Sequence, residues 1–157
     1  MSTAALSSGT AAGMTPAEEA TARTLILSII HRDAALAREN GEFASMAEIY
    51  EPGAVVKFGD GREFAPIEIG NVLGDPPPTL LRHNLTTIDI QFVSPDEAHC
   101  ECFTMVVSHL KPLDHWGRWN FLARKQPDGR WLIREKLSLL DGFDPDGWVA
   151  QAIKAAS

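Results

Sequence analysis

The sequence predicts an α+β fold in which a strongly curved antiparallel sheet forms a cone around an N-terminal helical hairpin and a short third helix. Two observations carry that prediction. Apolar residues recur at helical spacing in the first third of the chain, and β-branched and aromatic residues crowd Leu80 to Leu140 in long runs separated by short turns. The order of elements (helix, helix, short strand, short helix, then a long meander) places helices on one face of the sheet. A sheet so bent encloses an apolar pocket.

The first helix starts at Thr15-Pro16-Ala17-Glu18, where Thr15 can cap, Pro16 suits the first turn and Glu18 completes a capping box. Ala22, Leu25, Ile26, Ile29, Leu36 and Ala37 then form one stripe, giving a helix over about Pro16 to Arg38. Asp33 lies on that stripe. A carboxylate there is costly unless it is paired or faces a wet cavity, so Asp33 is either bonded to a neighbour or functional. Asn40-Gly41 ends the helix, and Glu42 to Tyr50 predicts a second one with Phe43, Met46, Ala47 and Tyr50 on one side. Ala54 to Phe58 is a short strand, Gly59-Asp60-Gly61-Arg62 a tight turn, and Pro66 to Leu73 a third short helix. Asp75-Pro76-Pro77-Pro78 is a stiff connector.

The strand from Leu80 to Val93 has Ile88, Ile90 and Phe92 on its dry face. Strict alternation gives His83 the wet parity, but one bulge between Leu85 and Ile88 would swing it to the dry side. Parity alone leaves both orientations open. His99 to Leu110 resumes after a Ser94-Pro95-Asp96-Glu97 turn; it is apolar on both faces, which predicts a central strand. Trp116 to Lys125 and Trp131 to Leu140 follow, joined by Pro127-Asp128-Gly129. Asp144-Pro145 opens a last helix with Trp148, Val149, Ala152 and Ile153 on its apolar side.

At 157 residues the chain reads as one domain, over about 15–143, with a disordered tail at 1–14 and a C-terminal helix at 144–157. A net charge of −7 without a basic run argues against nucleic acid. No apolar segment reaches about 18 residues, and the first residues lack the pattern of a signal peptide, so a cytoplasmic location and no membrane partner are expected. Cys100 and Cys102, two apart on one strand, point the same way and read as free buried thiols. They lack the further ligands that a zinc site needs, and a metal pair of His109 and His115 is a remote alternative. No metal and no cofactor are expected.

Three stretches resemble the SnoaL-like enzymes of the nuclear transport factor 2-like superfamily: Glu39 to Phe43 leading to Ala47 to Val55, Arg82-His83-Asn84 to Phe92-Val93-Ser94, and Asp128 to Ile133. The resemblance covers about Thr15 to Phe143. That superfamily includes ketosteroid isomerases, scytalone dehydratase, polyketide cyclases, limonene epoxide hydrolase, a dehydrochlorinase and non-catalytic members. His83 looks like the dehydrochlorinase's catalytic histidine. In that enzyme and in scytalone dehydratase an acid at the end of the first helix partners such a histidine, and here Glu39 and Asp33 both stand near that place. The position of the ketosteroid isomerase base falls on Phe58, which the resemblance would make a pocket residue with Trp119.

The resemblance thus implies a lyase or isomerase in which His83, oriented by Asp33 or Glu39, takes a proton from carbon in a dry pocket holding a small hydrophobic or polycyclic molecule. Asn84, Arg118 and Asn120 are candidates for polarising a substrate oxygen. The alternative is a module of the same fold that binds a small ligand unchanged or serves to dimerise. In either case a homodimer through the outer sheet face is expected.

Overall fold

The computed structural model describes residues 13–74 and 76–156. Most of the expected tail at 1–14 lies outside them. Helix α1, Pro16–Leu36, begins with the expected reciprocal cap: the Glu18 amide donates to Thr15 Oγ1 and the Thr15 amide to Glu18 Oε2. Its buried face is Ala22, Ile26, Ile30, Asp33, Ala34 and Leu36, rotated slightly from the predicted stripe, so that Leu25 is left 40% exposed. The second and third helices are 3₁₀ turns, at Phe43–Glu48 and Pro66–Leu73. Tyr50, expected on the second helix, instead opens strand β1, Tyr50–Phe58.

Strands β2 (Glu63–Phe64), β3 (Leu81–Ser94), β4 (Glu97–Ser108), β5 (His115–Lys125) and β6 (Trp131–Phe143) complete one open sheet in the order β2-β1-β6-β5-β4-β3. The sheet is mixed, since β1 runs parallel to β6 while the β3 to β6 meander is antiparallel as expected. Strand β4 is an interior strand, paired with β5 and with the edge strand β3. Its second apolar face is not buried: it carries Phe103 and Met105, each 45% exposed, because no layer among the described residues covers it. Helix α2, Trp148–Ala156, closes the described chain. No helix among the described residues is long and apolar enough to cross a membrane.

Two bulges decide which side chains enter the cone. In β3 the register slips between Leu85 and Ile88, so Leu81, His83 and Leu85 share the inner face with Ile88, Ile90 and Phe92. In β6 the slip opposite Leu122 and Ala123 moves the inward positions from Trp131 and Ile133 to Lys136 and Ser138. Without these slips, His83 and Lys136 would both point outward.

Candidate active site

Asp33 lies 1% exposed on the inner face of α1. Both its oxygens are engaged: Tyr50 Oη donates to Oδ1 at 2.7 Å, and Lys136 Nζ donates to Oδ2 at 2.5 Å. Burial and the Asp33 charge push the Tyr50 hydroxyl well above its ordinary pKa, so it remains a donor. Lys136 Nζ also stands 3.2 Å from the centre of the Trp119 ring, a desolvated cation over an aromatic face. This group ties α1 to β1 and β6 through the middle of the core.

His83 reaches the inner face and packs on the other neighbour of this group, with its ring centroid 4.9 Å from that of Trp119. Its Nδ1 meets the Ala37 carbonyl at 2.7 Å. A carbonyl only accepts, so Nδ1 carries the proton and Nε2 keeps a lone pair. Burial, and secondarily the charges of Lys136 and His115, lower the His83 pKa to about 3 against the opposing pull of the Ala37 carbonyl. At neutral pH the ring is uncharged. In place of the dry enclosed pocket expected, it lines an open cleft of about 310 Å³ with Ala34, Leu85 and the exposed His31, Ala35, Arg38 and Arg82.

Neither carboxylate proposed for His83 is hydrogen-bonded to it. Glu39 accepts instead from the Leu81 amide at 2.8 Å and from the Arg82 guanidinium, and the Arg82 bond is the main reason its pKa falls to about 2. That contact pins the end of α1 to the start of β3. Asp33 is taken by Lys136 and Tyr50. The orienting acceptor that the resemblance assigns to a side chain is here the backbone oxygen of Ala37.

Among the other predicted residues, Trp119 and Phe58 share the inner face, Trp119 4% exposed and Phe58 packed edge-on to Phe64. Asn84, Arg118 and Asn120 do not reach the cleft. Each is a strand neighbour of an inward residue and so points to the outer face, where Asn84 donates to the Met105 carbonyl and Arg118 pairs with Asp141.

A carboxylate and an imidazole do meet two strands away, at the start of β5. Asp114 is fully buried and accepts from His115 Nδ1 at 2.8 Å, Ser108 Oγ at 2.6 Å, and the amides of Trp148 and Val149 at 2.5 and 3.2 Å. Burial works to raise the Asp114 pKa, but these donors outweigh it and the value is lowered. Burial also lowers His115 against the pull of Asp114. The His115 ring sits 6.2 Å from that of His83. His115 therefore answers to Asp114, and not to His109 as in the metal alternative.

The sequence pattern missed Lys136, Tyr50 and Asp114. A signal for the first existed: a buried carboxylate at Asp33 demands a cation, and Lys136 is a strand cation whose parity a single bulge reverses.

No protein-family model matches the chain, and no curated protein sequence matches it. Solved structures do. A type 2 hexachlorocyclohexane dehydrochlorinase, LinA, superposes with a TM-score of 0.71 at 14% identity, over 83% of this chain and 92% of that one. A candidate scytalone dehydratase from Novosphingobium aromaticivorans gives 0.68 at 13% identity, over 83% and 91%. A Catenulispora acidiphila protein solved in complex with S-DNPA gives 0.64 at 16% identity, over 78% and 95%. At these identities the likeness is one of fold. The chain has the α+β cone fold of the SnoaL-like, nuclear transport factor 2-like proteins.

Proposed function

We propose that this chain is a cofactor-independent lyase or isomerase in which His83 removes a proton from carbon on a small, largely apolar molecule. The observation that carries the reading is the 2.7 Å contact of His83 Nδ1 with the Ala37 carbonyl, which leaves Nε2 as the basic nitrogen of a neutral ring. Nε2 takes the proton. The electron pair left on carbon either expels a leaving group from the adjacent carbon, as in dehydration or loss of hydrogen halide, or accepts the proton back at another carbon. Burial and Lys136 hold the His83 pKa at about 3, so Nε2 is a weak base that serves only a strongly activated carbon acid, while the imidazolium, once formed, returns its proton readily to the leaving group or the new carbon. The cleft is at the small end of ligand pockets, which span roughly 300–1,000 Å³, and this favours a compact molecule over a polycyclic one. Likeness in fold to dehydrochlorinase and dehydratase structures supports the same reaction class.

The test is turnover in D₂O with a panel of activated cyclic and β-substituted carbonyl compounds. Deuterium uptake, or release of water or halide, should occur with the wild type and fall at least a hundredfold in His83→Gln. Equal rates in the variant would sink the assignment.

A second reading, binding without turnover, is favoured by one observation: no carboxylate is bonded to His83 to stabilise its charged form. A compound that binds in the cleft and is recovered unchanged, without deuterium, would select it.

We further propose a cytoplasmic homodimer joined through the outer sheet face. Phe103, Met105 and Trp116 lie together there on adjacent strands, exposed by 45%, 45% and 40%. Cys100 and Cys102 are free and buried, which supports a reducing compartment. Sedimentation should give a dimer that Met105→Glu dissociates; a monomeric wild type would refute the interface.

A further inference from the structure

Arginine in this chain is almost always neutralised at home. Of the nine arginines in the sequence, eight have a carboxylate oxygen within 4.0 Å: Arg23 with Glu19, Arg32 with Glu48, Arg62 with Asp60, Arg82 with Glu39, Arg118 with Asp141, Arg124 with Glu97, Arg130 with Asp128 and Arg134 with Glu51. Arg38 is the exception among the described residues. It lines the cleft.

We propose that the cleft beside His83 takes a small organic carboxylate, with Arg38 as the counter-charge for its anionic end and Ala34, Ala35 and Leu85 as the wall for its apolar body. This rests on the reading of the cleft as the ligand site. The formal charge of the whole chain is −7, yet no carboxylate among the described residues lines this cleft: its ionisable residues there are His31, Arg38, Arg82 and His83. Glu39, the nearest acid in sequence, is turned to the Leu81 amide and the Arg82 guanidinium.

The placement of Arg38 is built into the backbone. Its amide donates to the Leu36 carbonyl at 2.9 Å and its carbonyl accepts from the Gly41 amide at 3.1 Å, which fixes the turn that ends α1. The preceding residue, Ala37, supplies the carbonyl that orients His83. One dipeptide therefore sets the tautomer of the base and places an arginine on the wall of the same cleft. A guanidinium's planar fork binds a carboxylate through two parallel hydrogen bonds, which fixes the orientation of the bound molecule as well as its charge. A carboxylate bound this way would present a fixed edge of its apolar body to the imidazole.

The experiment is a binding comparison that needs no turnover. A panel of monocyclic aryl and alicyclic carboxylates, each paired with its primary alcohol, is titrated into the wild type, Arg38→Met and His83→Gln, and followed by amide chemical shifts. Carboxylates should perturb residues 34–38 and 82–85 and bind at least tenfold tighter than their alcohols, with a preference that weakens as salt rises. Arg38→Met should bring that preference below threefold and leave the alcohols unaffected, with an unchanged melting temperature confirming the fold. His83→Gln should keep it. Equal binding of acids and alcohols, a preference that survives Arg38→Met, or no carboxylate bound by the wild type would each overturn the proposal. If the carboxylate preference holds while His83→Gln leaves turnover intact, the catalytic reading fails and the site assignment stands.

Discussion

Replacing Lys136 with methionine keeps the bulk and apolar stem of the side chain but removes the cation between Asp33 and Trp119. Asp33 would keep only the Tyr50 hydroxyl and would lie 1% exposed with an uncompensated charge. Removing one partner of such a buried pair typically costs about 3–5 kcal/mol. That is a large fraction of the roughly 5–15 kcal/mol that holds a domain of this size together. With a urea slope near 2 kcal/mol/M the midpoint should fall by about 1.5–2.5 M. Chemical unfolding followed by tryptophan fluorescence and circular dichroism measures it. Asp33→Leu alone should cost a similar amount by stranding Lys136. The double variant Asp33→Leu with Lys136→Met should be markedly more stable than either single one, because no buried charge remains. A neutral Lys136→Met, or a double variant whose loss equals the sum of the two singles, would refute the view that this pair is a closed structural unit.

Two further outcomes follow from the same geometry. The folded pKa of His83, about 3, lies below its ordinary value of 6.5. As pH falls the unfolded chain takes the proton first, so stability is intact above pH 6.5 and is lost as pH drops toward 3. Between pH 7.5 and 5.0 this side chain should remove up to about 2 kcal/mol. His83→Gln should flatten that part of the curve, and an unchanged slope would contradict the burial of the ring. His115 contributes in the same direction, while Glu39, lowered by Arg82, acts only below pH 4.5, so the difference between wild type and variant isolates His83. Asp114→Ala should free the Trp148 and Val149 amides that it accepts from. Loss of a side-chain cap is worth about 0.5–2 kcal/mol, so exchange at those amides should quicken by about two- to thirtyfold; unaltered protection would show that α2 is held by other means.

The parts of the fold written as local chemistry were legible. The Thr15 to Glu18 cap, the strand-rich meander and the turn at Pro127-Asp128-Gly129 follow from short-range preferences that tertiary contacts reinforce. The 3₁₀ geometry of Phe43–Glu48 and the strand fate of Tyr50 were not, because Tyr50 is recruited to β1 by its bond to Asp33, seventeen residues away. The inner position of His83 was open in the sequence because it depended on a bulge in which Thr86 and Thr87 stand opposite the single residue Phe103. Lys136 was hidden by a slip of the same kind in β6. Alternation predicts a strand's faces only as far as the next bulge. Glu39 shows a different limit: its competitor, Arg82, stands beside the histidine it was expected to serve, and only the folded backbone decides between neighbours.

The central claim, a neutral His83 protonated on Nδ1 with Nε2 left bare, is open to direct observation. Long-range ¹H–¹⁵N correlation on histidine-labelled protein, with His83→Gln for assignment, reports both tautomer and titration. The predicted spectrum has protonated Nδ1, a pyridine-like Nε2, and no charging of that ring between pH 8 and 5. A proton on Nε2, or a ring that titrates near 6.5, would contradict the account.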